Sequence, residues 1–213
     1  QRVVNRYDKV CKKAHDLGVS ILIDGEESWM QGAADELIEE MMRKYNQKKA
    51  IVFNTLQTYR WDRLDYLKRL HKDAIENNYF IGMKVVRGAY LEKANDRAEE
   101  KGYPSPICAS KKDTDENFDN VVAYMVDNLD TMSLFAGTHN EISSYRLMEQ
   151  MEAGNIQHND PRIWFGQLYG MSDHISFNLA QEGYNVAKYL PFGPVKDVMP
   201  YLIRRAEEKP QSL

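Results

Sequence analysis

The stretch Tyr79-Phe-Ile-Gly-Met-Lys-Val-Val-Arg87 decides the fold. Its apolar character is nearly continuous rather than alternating, which is the pattern of a parallel-sheet strand covered on both faces. One lysine, Lys84, interrupts it. A solvated lysine does not belong in such a run, so Lys84 is expected to point into the interior of the fold or to reach its mouth as a fixed positive charge. Working upstream, Leu64, Leu67, Leu70 and Ala74 mark a helix, and Ala50-Ile-Val-Phe-Asn54 marks a strand before it. Leu37, Ile38, Met41, Met42 and Tyr45 form the stripe of a further helix, preceded by the strand Ser20-Ile-Leu-Ile-Asp24. Residues 2–16 carry Val3, Val4, Tyr7, Val10, Cys11 and Ala14 at helical spacing, with Gly18 as a left-handed stop. Downstream, strands are predicted over 131–139, 162–170 and 185–193, each after a helical stretch.

Strands that alternate with helices must be joined by right-handed crossovers, so the sheet is parallel and either doubly wound or closed. The placement of polar residues favours a (β/α)8 TIM-like barrel with about six of its eight strands in this chain. Asp24, Gln57, Arg87, His139, Gln167 and Tyr189 all fall at or just beyond C-terminal strand ends, which in a barrel converge on one site. Neither GxGxxG nor GxxxxGK[ST] occurs, so an open-sheet dinucleotide or NTP fold is disfavoured. The stretch Gly102-Tyr-Pro-Ser-Pro-Ile-Cys-Ala-Ser-Lys-Lys112 is expected to be an insertion of the kind that covers an active site.

Composition narrows the classes of function. The chain has 213 residues, 43% hydrophobic and 28% charged, and no apolar run long enough for a membrane helix. A net charge of -4 with both signs interspersed gives no footprint for nucleic acid. Cys11 and Cys108 lie far apart without CxxC spacing, as idle thiols rather than a disulfide or metal framework. No HxH or HExxH pattern accompanies His139, so no metal site is expected.

Several residues could do chemistry. Arg204 and Arg205, with Glu208 one turn on, could clamp a substrate carboxylate while the acid faces an ammonium, or could simply complement a helix end. Lys84 could stabilise electron-rich cofactor atoms, form a Schiff base, or pair structurally with Asp24. Asp24 precedes Gly25-Glu-Glu, a turn that allows close backbone approach. His139 could be a base, a hydrogen-bond donor or a satisfied structural residue.

Seven segments carry a family resemblance. Leu22-Ile-Asp-Gly-Glu-Glu-Ser28, Asn54-Thr-Leu-Gln-Thr-Tyr59, Lys84-Val-Val-Arg-Gly-Ala-Tyr90, Gly137-Thr-His-Asn140, Gly166-Gln-Leu-Tyr-Gly-Met171, Lys188-Tyr-Leu-Pro-Phe-Gly-Pro194 and Tyr201-Leu-Ile-Arg-Arg205 resemble, in order, the motifs of proline dehydrogenase. The look is of the monofunctional bacterial type. The resemblance implies one catalytic barrel domain over 1–213 that uses FAD to oxidise L-proline to pyrroline-5-carboxylate, with hydride passing from proline C5 to flavin N5 and electrons to a quinone. It implies a protein of the bacterial cytoplasm in peripheral contact with the inner membrane. By the same resemblance Asp24 and Lys84 match catalytic positions, although the family often has arginine in place of Lys84. Gly25, Gln57, Val86, Arg87, Gly88, Ala89, Thr138 and His139 match flavin-contacting ones. Leu168 and Tyr189 match the walls around the proline ring, Arg204 and Arg205 the carboxylate clamp, and Glu208 the nearby acid. A tyrosine at 189 leaves little room for a ring hydroxyl, which favours proline over hydroxyproline as substrate.

Two strands of the family barrel are expected to precede residue 1, one bearing a lysine for the substrate carboxylate. The expectation is therefore a longer gene product, or a complementing N-terminal segment or chain. Two other classes of function remain open on the sequence: a Schiff-base lyase or aldolase barrel using Lys84, and a non-catalytic barrel fragment.

Overall fold

The computed structural model describes residues 2–25 and 27–208, with side chains through Ile203. Its elements alternate as expected: α1 (Arg2–Leu17), β1 (Ile21–Ile23), α2 (Gln31–Tyr45), β2 (Val52–Gln57), α3 (Arg63–Asn77), β3 (Ile81–Val86), α4 (Leu91–Lys101), α5 (Lys111–Val126), β4 (Met132–Gly137), α6 (Glu141–Ala153), β5 (Ile163–Leu168), α7 (Asp173–Gln181), β6 (Val186–Tyr189) and α8 (Val195–Glu208). The six strands form one parallel sheet in the order β1-β2-β3-β4-β5-β6. This is a curled half-barrel.

Register sets which side chains share a face. Thr55 pairs with Lys84, Lys84 with Phe135, and Phe135 with Trp164, so these four point to the concave side together. Their neighbours point outward: Val52, Leu56, Ile81, Met83, Val85, Leu134, Ile163 and Phe165 join one core with Ile38, Met41 and Met42 of α2, Leu67 and Leu70 of α3, and Phe118, Val121 and Met125 of α5. The concave face keeps room for aromatic rings by omitting side chains beside them. A Cβ on Gly166 would stand 2.1 Å from Phe135 Cε1.

Local chemistry ends the helices where the sequence indicates. Gly18 follows α1 at φ 66° and closes it through its N–H to the His15 carbonyl at 3.0 Å. Ser110 and Asn140 cap α5 and α6, each side chain accepting from the backbone N–H three residues on. The stripes of α2 and α3 are buried as their periodicity requires, but on α1 only Cys11 is fully buried while Val3 and Val10 stand more than half exposed.

Three expectations need correction. Strand β2 runs on to Gln57 instead of stopping at Asn54, because Asn54 finds Asp35 at 2.7 Å and the Thr55 hydroxyl finds the Ile23 carbonyl at 2.8 Å, so neither polar side chain breaks the ladder. Strand β6 stops at Tyr189, ahead of Pro191, which has no N–H to continue a ladder. Two helices, not one, lie between β3 and β4. The segment between them docks on the β2–α3 turn: Ile107 bridges Arg60, Cys108 N donates to the Tyr59 carbonyl at 2.7 Å, and Trp61 N to that of Pro106 at 3.2 Å. Of the insertion 102–112, only Lys111 lines the large cleft described next.

Candidate active site

The C-terminal strand ends open into a cleft of about 1030 Å³. Strand β1 places Leu22 on its wall and hands over to Asp24 and Gly25, β2 supplies Thr55 and Gln57, and β3 supplies Lys84 and Val86. Thr138 and His139 follow β4, and Leu168 and Tyr189 end β5 and β6. Arg87, Gly88 and Ala89 complete the set, so twelve of the fifteen residues singled out from the sequence meet in one cleft. The other three, Arg204, Arg205 and Glu208, fall on α8, and their side chains lie outside the described residues.

Lys84 Nζ stands 2.5 Å from Asp24 Oδ1, and the lysine side chain is 20% exposed. The Thr55 hydroxyl, in register with Lys84, reaches the same oxygen at 3.3 Å. The charged pair is thus anchored by neighbouring strands. A Schiff-base lysine is activated by an apolar pocket or a cationic neighbour; Lys84 has a carboxylate instead.

Gly25 is held from two sides. Its carbonyl accepts from Gln57 Nε2, and a Cβ on it would stand 2.5 Å from Gln31 Oε1, so no larger residue fits without displacing that amide. Gly88, at φ 120°, is required twice over: an L side chain resists that conformation, and a Cβ would lie 2.3 Å from the Tyr59 ring. The backbone of 87–89 can therefore approach a ligand closely.

Arg87 is oriented outward into a network. Its guanidinium donates to Asp115 at 2.6 Å, Thr138 Oγ1 at 2.9 Å and Ser143 Oγ at 2.9 Å, and lies 4.4 Å from the centre of the Phe118 ring. Burial raises the pKa of Asp115, but Lys111 and Arg87 outweigh it and hold the carboxyl below its ordinary range. Arg87 so ties the cleft wall to α5 and α6.

Behind the Asp24 turn lies a second charged cluster. Asp62 accepts from Arg60 at 2.7 and 3.0 Å and from Arg63 at 2.9 and 3.0 Å. Burial alone would raise its pKa; the two guanidiniums overcome this and bring it down to about 2. A carboxyl depressed in the folded state adds stability above its unfolded pKa and loses it as pH falls through the folded one. We expect Asp62→Asn to remove about 2 kcal/mol of stability at neutral pH, and to flatten the pH profile of denaturant unfolding between about 4 and 2.

Some residues of the cleft carry no assignment from sequence: Tyr90, Tyr201 and Lys188 also line it. Tyr201 lies edge to face with Tyr189, ring centres 5.8 Å apart. Lys188 opens the segment Lys188–Pro194, but its partners are set by a loop conformation the sequence does not display. Among the described residues no cluster of His, Cys, Asp or Glu could hold a metal, and no helix is long and apolar enough to cross a membrane.

The family model for proline dehydrogenase matches residues 2–212. The chain belongs to the proline dehydrogenase family. Among relatives, it is 40% identical over 211 residues to the carbapenem antibiotics biosynthesis protein CarD of Pectobacterium carotovorum subsp. carotovorum, covering 97% of this chain and 53% of that protein. It is 39% identical over 210 residues to human mitochondrial proline dehydrogenase 1, covering 97% and 35%. Among solved structures, proline utilization A from Bdellovibrio bacteriovorus superposes with a TM-score of 0.88 at 25% identity, over 95% of this chain and 21% of that one. The chain thus spans about half of the first and a third of the second of these curated relatives, and the half-barrel matches the corresponding part of a (β/α)8 barrel.

Proposed function

We propose that this chain carries the flavin-facing and proline-facing side of a barrel that oxidises L-proline to pyrroline-5-carboxylate, in contact with a quinone-bearing membrane on the bacterial cytoplasmic side. The observation that carries the proposal is the ion pair of Asp24 and Lys84 on the concave face, inside a cleft that also gathers Thr138, His139, Leu168 and Tyr189.

The cleft fits FAD in size and chemistry. Its volume, about 1030 Å³, lies just above the roughly 300–1,000 Å³ usual for small-molecule sites, as a large dinucleotide requires. Its lining combines apolar surface from Leu22, Val86 and Phe135 with donors from Lys84, Gln57 and Thr138 and a glycine-bearing backbone at 88. FAD when bound would supply the acceptor for the hydride leaving proline C5 and would relay the electrons to a quinone. The substrate's ring nitrogen would give up a proton to solvent through the open cleft as its bond to C5 becomes double. Lys84 sets a fixed cation where negative charge develops, and Asp24 and Thr55 keep that cation from turning. Tyr189 and Leu168 border the space for the proline ring and limit its size. Arg204 and Arg205 are assigned the proline carboxylate, and Glu208 its ammonium.

An anaerobic absorbance spectrum tests this. A form extended at the N-terminus to the length of the family barrel is expected to show a flavin band that bleaches on adding L-proline. A flavin-free protein whose Lys84 is trapped by borohydride with a carbonyl substrate would overturn the proposal in favour of a lyase.

A further inference from the structure

Lys188 leaves β6 on the side facing α7 and is 25% exposed. Its ammonium donates to the Met171 carbonyl at 2.7 Å, Asp173 Oδ1 at 2.7 Å and Ser176 Oγ at 3.0 Å, which uses all three of its protons. All three acceptors belong to the segment that joins β5 to the first turn of α7. Inside that segment Ser172 sits in the left-handed region, φ 49° and ψ 44°, a conformation a serine keeps only when its surroundings hold it there.

Ser172 is the residue that meets His139. Its hydroxyl oxygen lies 3.0 Å from His139 Nδ1, while the backbone N–H of Leu168 points at Nε2 from 3.5 Å. A neutral imidazole has one donor and one acceptor nitrogen, and a backbone N–H can face only the acceptor. Nε2 is therefore the acceptor, and Nδ1 carries the proton that goes to Ser172. The main chain at this point traces back to the same lysine. Ser176 Oγ, held by Lys188, donates to Gln167 Oε1 at 2.9 Å, and Gln167 Nε2 donates to the carbonyl of Thr138 at 3.2 Å, the peptide that precedes His139.

We propose that Lys188 is a positioning residue which, through Ser172, holds His139 as its Nδ1–H tautomer with both ring nitrogens engaged by the protein. His139 then meets a ligand in the cleft with its ring and exchanges no proton with it. The tautomer lock stands on geometry alone; its service to a flavin rests on the function proposed above.

Two measurements keep these parts separate. Long-range proton–nitrogen NMR correlations on histidine-labelled protein without flavin are expected to show a protonated Nδ1 at His139, and a mixture of tautomers in Lys188→Met and Ser172→Ala. Lys188→Arg, which retains several donors, is expected to restore much of the single tautomer. Titration of flavin into the N-terminally extended form is expected to give about tenfold weaker binding in both variants, the scale of one lost hydrogen bond. Finding His139 protonated at Nε2, or unchanged in Ser172→Ala, would overturn the lock whether or not flavin binds. A changed tautomer with flavin affinity unaltered would retain the lock and overturn its service to the flavin.

Discussion

Lys84→Met is expected to lower the rate of proline-dependent flavin reduction by about 10²–10³-fold, the usual effect of removing one preorganised group that stabilises developing charge. The cation is what Lys84 brings to the cleft, set on the central strand in register with Thr55 and Phe135 and paired with Asp24. Methionine keeps the stem volume and deletes the charge, so stability changes little while turnover falls. Lys84→Arg restores a cation that is planar and larger, and should recover much of the rate if electrostatics is the cause. Asp24→Asn should fall between these, because Lys84 keeps its charge and loses its anchor. Anaerobic stopped-flow reduction with saturating proline separates the three. Equal rates in wild type and Lys84→Met would remove Lys84 from the mechanism.

The part of the fold legible in sequence was the part dictated by burial. Runs such as Ile81-Gly-Met-Lys-Val-Val86 have to be strands because only a sheet covered by helices can hold them, and the lysine inside that run told which face was special. Of the roles the sequence allows Lys84, the pairing with Asp24 is what the structure contains, and it is compatible with the catalytic reading. Boundaries were lost where polar residues were satisfied by partners distant in sequence, as with Asn54 and Asp35. Helix α4 was illegible for another reason. Leu91-Glu-Lys-Ala-Asn-Asp-Arg-Ala-Glu-Glu-Lys101 is charged nearly all round, and it buries only Ala94 and Ala98, too narrow a stripe to stand out. The partners of Ser172 and Lys188 are not legible because they depend on one loop residue at positive φ, which sequence marks reliably only when that residue is glycine.

The largest stability effect is expected at Arg63. Its guanidinium is 6% exposed and pairs with Asp35, equally buried, at 2.8 Å. Asp35 also accepts from Gln31 at 2.8 Å and Asn54 at 2.7 Å, so one carboxylate joins the start of α2, the middle of β2 and the first turn of α3. Arg60 extends the cluster from Asp62 to the carbonyl of Ser28, in the turn that carries Asp24. Arg63→Met leaves the Asp35 carboxylate buried without its cation, and removing one member of such a pair costs about 3–5 kcal/mol, more than the pair itself contributes over an apolar substitute. Arg43, 42% exposed in its pair with Asp73, provides the contrast: Arg43→Met should cost under about 1 kcal/mol, the range of exposed ion pairs. Denaturant unfolding of both variants measures the difference. In Arg63→Met the Asp24 turn loses support as well, since Asp35 holds the Gln31 amide that lies against Gly25. Hydrogen exchange should therefore rise in residues 24–30 as well as at the start of α3, and exchange confined to α3 would show that the cluster does not reach the Asp24 turn.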